Sequence, residues 1–251
     1  MSDREVPGDL ARLWRLPTGS RLGRRAELDV DRVVATAVEL ADREGAAGAT
    51  LPKIAAALSV TPMSLYRHIG SKDELVALMG DAAFGPVPES LAARGEWRAD
   101  LREWALAQCA VFRAHPWLAQ WPITGPPRGP HAIAWMDAGL RALRPTGLDW
   151  GAKIGVITVL GGYVRQGFDL ERQLRDSRTA AALDESQALA NYGRDLTGLL
   201  DAGRLPDIAA LFDSGIFESI PPEPDSAAAS MSEDFHFGLE LILDGVAAAV
   251  K

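Results

Sequence analysis

The chain has 251 residues, of which 47% are hydrophobic and 24% charged; that apolar share fills a core and excludes disordered, collagen-like and low-complexity architectures. One cysteine, Cys109, excludes an intramolecular disulfide framework and a multi-cysteine zinc site. No apolar run reaches the ~20 residues of a membrane helix, and Asp3, Arg4, Glu5 and Asp9 at the N-terminus have no signal-peptide core behind them, so a soluble cytoplasmic protein with no membrane partner is expected.

The net charge of -8 is unevenly placed. Residues 1–80 balance 11 basic against 11 acidic side chains, whereas residues 81–251 hold 15 against 23. Within the first part Arg12, Arg15, Arg21, Arg24 and Arg25 follow one another with no acid between residues 10 and 26. Residues 1–27 are expected to form a flexible basic arm, either a solvated tail or a segment drawn to a polyanion.

From residue 29 the period is helical throughout and strand-like alternation is absent, so an all-α fold is expected. Val30, Val33, Val34, Ala37, Val38 and Ala41 share one face of a first helix that Gly45 and Gly48 stop. Thr50 reads as the cap of a short helix carrying Ile54 and Leu58, with Pro52 tolerated in its first turn. Thr61-Pro62 caps the next. Ser71 and Glu74 form a capping-box pattern opening a helix with Leu75, Leu78, Met79 and Ala82 inward.

Phe84-Gly-Pro-Val-Pro88 ends that helix and marks a boundary, giving domains at 28–86 and 87–251. Beyond it, helices are expected over 97–114, 131–143, 150–174, 186–200, 206–213 and 235–250. Pro/Gly-rich linkers lie at 122–130 and 144–149, and a longer one at 218–232.

Enzyme signatures are missing: there is no phosphate-binding glycine loop, nucleophile elbow or paired-histidine metal motif. His68, His115, His131 and His236 are scattered, and Cys109 sits in an amphipathic helix as an inert core thiol. No catalytic residue, metal or cofactor is expected.

The informative stretch is 50–72. Two short helices meet at Leu58-Ser59-Val60, with Ile54, Leu58, Val60, Leu65 and Ile69 inward and Thr61, Met63, Ser64, Arg67 and His68 outward. This spacing suits a helix-turn-helix, whose second helix presents its first residues to the DNA major groove; a plain helical hairpin with a solvated face is the alternative. In the DNA reading, Arg67 matches a guanine edge and Met63 a thymine methyl. Ser64 and Thr61 reach a phosphate or a base, and Tyr66 and Lys72 suit phosphates.

Leu51-Pro-Lys-Ile-Ala-Ala-Ala-Leu-Ser-Val60, Thr61-Pro-Met-Ser-Leu-Tyr-Arg-His68 and Lys72-Asp-Glu-Leu75 resemble the DNA-binding domain of the tetracycline-repressor (TetR) family over about residues 28–84. Phe235-His-Phe-Gly-Leu-Glu-Leu-Ile-Leu-Asp-Gly245 is similar to the closing helix of that family's ligand domain. The resemblance implies a three-helix reader, a larger helical-bundle domain for effector binding and dimerisation, and a homodimer on a double-stranded DNA operator. It places Thr50 and Lys72 on phosphates and Thr61, Pro62, Met63, Ser64, Tyr66, Arg67 and His68 on the recognition helix. Ser59 departs from the family's usual glycine, where a left-handed backbone strains serine by roughly a kcal/mol. Arg21, Arg24 and Arg25 then stand where an N-terminal arm enters the minor groove.

Six of the seven tryptophans fall between residues 97 and 150. Trp117 and Trp121 flank a proline-rich break, and with Trp135, Met136, Tyr163, Gln166 and Phe168 they are the candidates for lining a small-molecule effector pocket, core packing being the plainer reading. Gly155, Gly161, Gly162, Gly238 and Gly245 permit close helix approach in a dimer. The expected function is an effector-responsive transcriptional repressor on a palindromic operator, with 71–83 as the lever between reader and effector domain. The competing readings are an activator, a ligand-insensitive regulator, or a helical small-molecule-binding protein whose reader is vestigial.

Overall fold

The computed structural model describes residues 6–17, 28–92, 94–217 and 231–250. Its first helix, α1 (Gly8–Leu13), lies within the stretch expected to be a flexible arm. That expectation is corrected for these residues, and the reason is tertiary. Ala11 and Leu13 are buried, and Arg12 Nε donates to Glu74 Oε2 at 2.7 Å, 62 residues away.

The next four helices begin where side chains can accept a backbone N–H. Asp29 opens α2 (Val30–Glu44), accepting from Arg32 N at 2.8 Å. Thr50 opens α3 (Leu51–Ala57), Thr61 opens α4 (Pro62–Ile69) and Ser71 opens α5 (Lys72–Phe84). Each such cap stabilises its helix by ~1 kcal/mol. The capping box is only half formed: Ser71 Oγ accepts from Glu74 N at 3.1 Å, but the Glu74 carboxylate turns to Arg12 instead.

Between α3 and α4 the chain makes a Schellman turn, with Val60 N donating to Ala55 O at 2.9 Å and Ser59 N to Ala56 O at 3.1 Å. Ser59 takes the left-handed position at φ 55°, as expected, at a cost of ~1–2 kcal/mol that glycine avoids. Leu58 and Val60 are only half-buried, while Ile54, Leu65 and Ile69 are fully enclosed with Val33 and Val34 of α2. Ala82, expected inward, is exposed, and Asp81 and Ala83 take the buried positions.

The remaining helices are α6 (Trp97–Ala114), α7 (Pro130–Ala142), α8 (Trp150–Ala180), α9 (Glu185–Thr197), α10 (Pro206–Asp213) and α11 (Glu233–Ala249), with a 3-10 turn at Pro116–Gln120. Eleven α-helices and no strand occur among the described residues. None of these helices is long and apolar enough to cross a membrane. α8 runs six residues past the expected end at 174, held by ion pairs from Arg172 to Asp169 and Asp176 at helical spacing.

Two compact units result: 1–166 with 239–251, and 167–238. α8 and α11 each run through both. In the first unit α6, α7 and α8 close around Trp104, whose indole donates to Trp135 O at 2.9 Å. Gly139 makes this possible: a Cβ there would sit 3.0 Å from Ile157 and 3.2 Å from the Trp104 ring. In the second unit, an Asp184–Gln187 capping box opens α9. Tyr192, Phe212 and Phe217 form an aromatic cluster with centroids 4.7 to 5.5 Å apart.

α11 is pinned to α6 by charge. Glu240 accepts from Arg102 Nε at 2.6 Å and Arg98 Nη2 at 2.7 Å, and these bonds, the Arg102 one foremost, lower its carboxyl from the usual 4.5 to about 2. A carboxylate with a depressed pKa contributes stability that is present above its unfolded value and lost as pH falls toward the folded one. Thermal melts between about pH 5 and pH 2 should therefore show a smaller acid-side loss in Glu240→Gln than in the native chain. Equal losses in both would remove this ion cluster from the acid transition.

Candidate nucleic-acid interface and its link to the helical core

The face of α4 opposite Leu65 and Ile69 is open. Met63 is 73% and Tyr66 40% exposed; Thr61, Pro62 and Arg67 are exposed too, and Ser64 and His68 half-buried. Thr50 and Lys72, at the starts of α3 and α5, are exposed as well. The Ser64 hydroxyl is turned inward, donating to Thr61 O at 2.6 Å, so it stiffens the first turn of the helix. Gly70, at φ 72°, ends α4, its N–H donating to the Tyr66 carbonyl.

Charge separates the basic residues into two classes. Arg12 pairs with Glu74, Arg15 with Asp31 and Lys53 with Glu44. Arg67 and Lys72 form no ion pair among the described residues, which leaves their charge to the surface. Arg21, Arg24 and Arg25 lie outside the described residues.

Behind the reader, the tryptophans expected to line a pocket turn out to donate across to it. Trp117 Nε1 donates to Asp42 Oδ1 of α2 at 2.7 Å, and His115 Nδ1 pairs with the same oxygen at 2.7 Å. Trp121 Nε1 donates to Val76 O of α5 at 3.0 Å, and Trp135 Nε1 to Gly85 O at 3.1 Å. Trp117 and Trp121 stack edge to face at 4.7 Å. Arg165 of α8 closes the 3-10 turn from the other side, donating to Ala119 O at 2.6 Å and also to Trp121 O.

α5 enters the helical core at its end. Phe84 packs edge-on against both Phe112 and Trp135, each at 5.9 Å. Asp81, 8% exposed, lies beneath the N-terminus of α7 and accepts from Ala132 N at 2.9 Å; its own carbonyl meets His131 Nδ1 at 3.0 Å. The fit is tight, since a Cβ on Gly129 would fall 2.0 Å from Asp81 Oδ1. Sequence reasoning passed over Asp81, although an acid three residues after Leu78 on an apolar stripe is itself a signal.

Of the other pocket candidates, Met136 and Tyr163 are half-buried and Gln166 is exposed. Phe168 is buried in the second unit. A cavity of about 10 Å³, bounded by Leu91, Asp100, Trp104, Ala138 and their neighbours, holds none of the seven; it has room for roughly one water. In the same core Gln108 is buried, and its Nε2 has no hydrogen-bond partner among the described residues. Gly161 faces inward toward Gln108 and Trp104, whereas Gly155, Gly162 and Gly245 look onto open space. No group of acids, histidines or cysteines fit to hold a metal occurs among the described residues.

Two family models match the chain: "Bacterial regulatory proteins, tetR family" over residues 33–79, and "Tetracyclin repressor-like, C-terminal domain" over residues 89–250. The HTH-type transcriptional repressor DrrR1 of Streptomyces coeruleorubidus is 33% identical over 95% of this chain and 86% of its own length. Among solved structures, apo ActR of Streptomyces coelicolor has a TM-score of 0.70 at 26% identity, covering 90% of this chain and 98% of that one. ActR in complex with actinorhodin gives 0.68 at 28% identity, with 89% and 98% covered. The open reader helix, its capped support and a helical core matched along its length make this chain a member of the tetracycline-repressor family of DNA-binding transcriptional regulators.

Proposed function

We propose that this ligand-responsive repressor acts as a two-fold homodimer on a palindromic operator in the cytoplasm, with no catalytic step. The observation that carries the reading is the face of α4 and the start of α5: exposed donors on a doubly capped helix, with Arg67 and Lys72 unneutralised among the described residues. Arg67 reads a guanine edge, and Met63 and Pro62 offer apolar contact to a thymine methyl. Thr50, Thr61, Ser64, Tyr66, His68 and Lys72 hold the backbone, and Arg21, Arg24 and Arg25 reach the neighbouring minor groove.

The dimer forms through the outer faces of α8 and α11. Ile154 and Val159 are exposed beside Gly155 and Gly162, and Leu241 beside Gly245; small residues among exposed apolar ones let helices approach closely. Two-fold symmetry then presents two copies of α4 to half-sites about 34–36 Å apart.

ActR is the relative whose structures hold ligands, actinorhodin and (S)-DNPA. By that likeness a small-molecule effector enters the core of this chain against Trp117, Trp121, Trp135, Met136 and Tyr163. The indole donors there already serve the reader. An effector acceptor that captures one takes it from Asp42, Val76 or Gly85, so effector binding alters the reader's attachment to the core, and by linkage DNA binding alters effector affinity by the same factor. The unpaired Gln108 Nε2 is a second donor to an incoming ligand: leaving it buried and unbonded costs ~1–3 kcal/mol that a ligand acceptor recovers.

Selection of bound sequences from a random duplex library at two salt concentrations tests the reading. A palindrome with half-sites one helical turn apart supports it; salt-sensitive binding without sequence preference overturns it. On the selected site, Arg67→Ala should weaken binding by about 1–3 kcal/mol and relax one base position. Lys72→Ala should weaken specific and random DNA alike and reduce the salt slope by about one. Titrations of both variants against operator and random duplex check these outcomes.

A further inference from the structure

α1 is tied at both ends to different parts of the first unit. On the reader side, Arg12 forms its ion pair with Glu74 directly behind the end of α4: a Cβ at Gly70 would fall 2.5 Å from Arg12 Nη2 and 2.4 Å from Glu74 Oε1. Arg15, itself left-handed at φ 54°, closes the end of α1 by donating to Arg12 O at 2.7 Å and reaches Asp31 in the first turn of α2 at 2.5 Å. On the core side, Trp14 Nε1 donates to Arg128 O at 2.8 Å, and Asp9 pairs with Arg128 Nη2 at 2.9 Å. Arg128 precedes Gly129, the residue packed on the Asp81 carboxylate at the start of α7.

We propose that α1 is a strap that sets the position of the recognition helix α4 against the helical core, with Arg12 and Trp14 as positioning residues of the DNA reader. The assignment rests on the reading of α4 as the DNA reader. α5 connects the same two parts through the covalent chain, and α1 braces it at Glu74, where the Arg12 guanidinium lies against Gly70, the residue that ends α4. The two attachments act in series: the reader end is the Arg12–Glu74 pair with Arg15–Asp31 beside it, the core end the Trp14 indole bond with the Asp9–Arg128 pair, and slack at either end loosens the whole. Movement of the 121–130 loop as α7 shifts is thereby delivered to the end of α4 rather than to α5 alone.

Links in series have a diagnostic double-mutant cycle, because cutting either end cuts the whole and a second cut adds nothing. Arg12→Met releases the reader end and keeps the stem; Trp14→Phe releases the core end and keeps a ring on a residue that is 43% exposed. Hydrogen exchange of amides 65–70 is measured in the full-length free protein, native, singly and doubly substituted. Each single variant should speed exchange in α4 by about fivefold with α6 unchanged, and the double should match the larger single. The same cycle is read on DNA as the penalty for inserting one base pair between the selected half-sites, which should shrink equally in all three variants. Should Arg12→Met fail to fold, Arg128→Met, which removes the Asp9 pair at the core end and keeps the Trp14 bond to the Arg128 carbonyl, replaces it beside Trp14→Phe: in a strap each loosens α4, whereas a cover confined to the reader leaves α4 unchanged. Unaltered α4 exchange in the single variants, or effects that multiply in the double, overturns the strap. A library that yields no two-fold site overturns the DNA reading instead, and the exchange cycle still decides the strap.

Discussion

A carboxylate buried under a helix N-terminus holds this molecule in register. Asp81 belongs to α5, which begins beneath the recognition helix, and it accepts from the first turn of α7, which belongs to the helical core. A buried anion is tolerable only when donors surround it, and the free amides of a helix start supply them without a counter-charge. Because Gly129 leaves no space between that turn and the carboxylate, α5 cannot slide along α7 without breaking the cap.

Around that fixed point single, directional hydrogen bonds from aromatic side chains join reader to core, beside the packing of Phe84 on Phe112 and Trp135. Trp117 reaches α2, while Trp121 and Trp135 reach α5. This chemistry suits a seam that must change. Broad apolar packing would weld reader to core through dispersion and area, whereas an indole N–H is worth on the order of 1 kcal/mol net and is exchanged for another acceptor at little cost.

What was legible in the sequence follows the range of the interactions. Thr50, Thr61 and Ser71 were readable as caps because a cap is satisfied three residues away. The same locality made the inward positions Ile54, Leu65 and Ile69 readable, and the strained Ser59 turn followed once the family resemblance marked that position. Glu74 was misread in part because its competing partner, Arg12, is distant in sequence; a local pattern cannot announce a tertiary rival. α1 was missed for the same reason, since six residues without a strong cap hold a helix only when docked. The tryptophans showed their apolar bulk but not their N–H partners. The acceptors that join three of them to the reader, Asp42 Oδ1 and the Val76 and Gly85 carbonyls, lie 45 to 75 residues away in sequence. The extra turns of α8 depend on Arg172, Asp169 and Asp176, polar pairs invisible to a hydrophobic period.

The placement of the indoles has an optical consequence. Trp14, Trp117, Trp121 and Trp135 each donate their N–H across the join between reader and core, and indole emission shifts with the polarity and bonding at that nitrogen. The chain thus carries its own set of chromophores at this join. Breaking any one of these bonds would alter the emission of the unmodified protein, so that such a change can be followed without a dye.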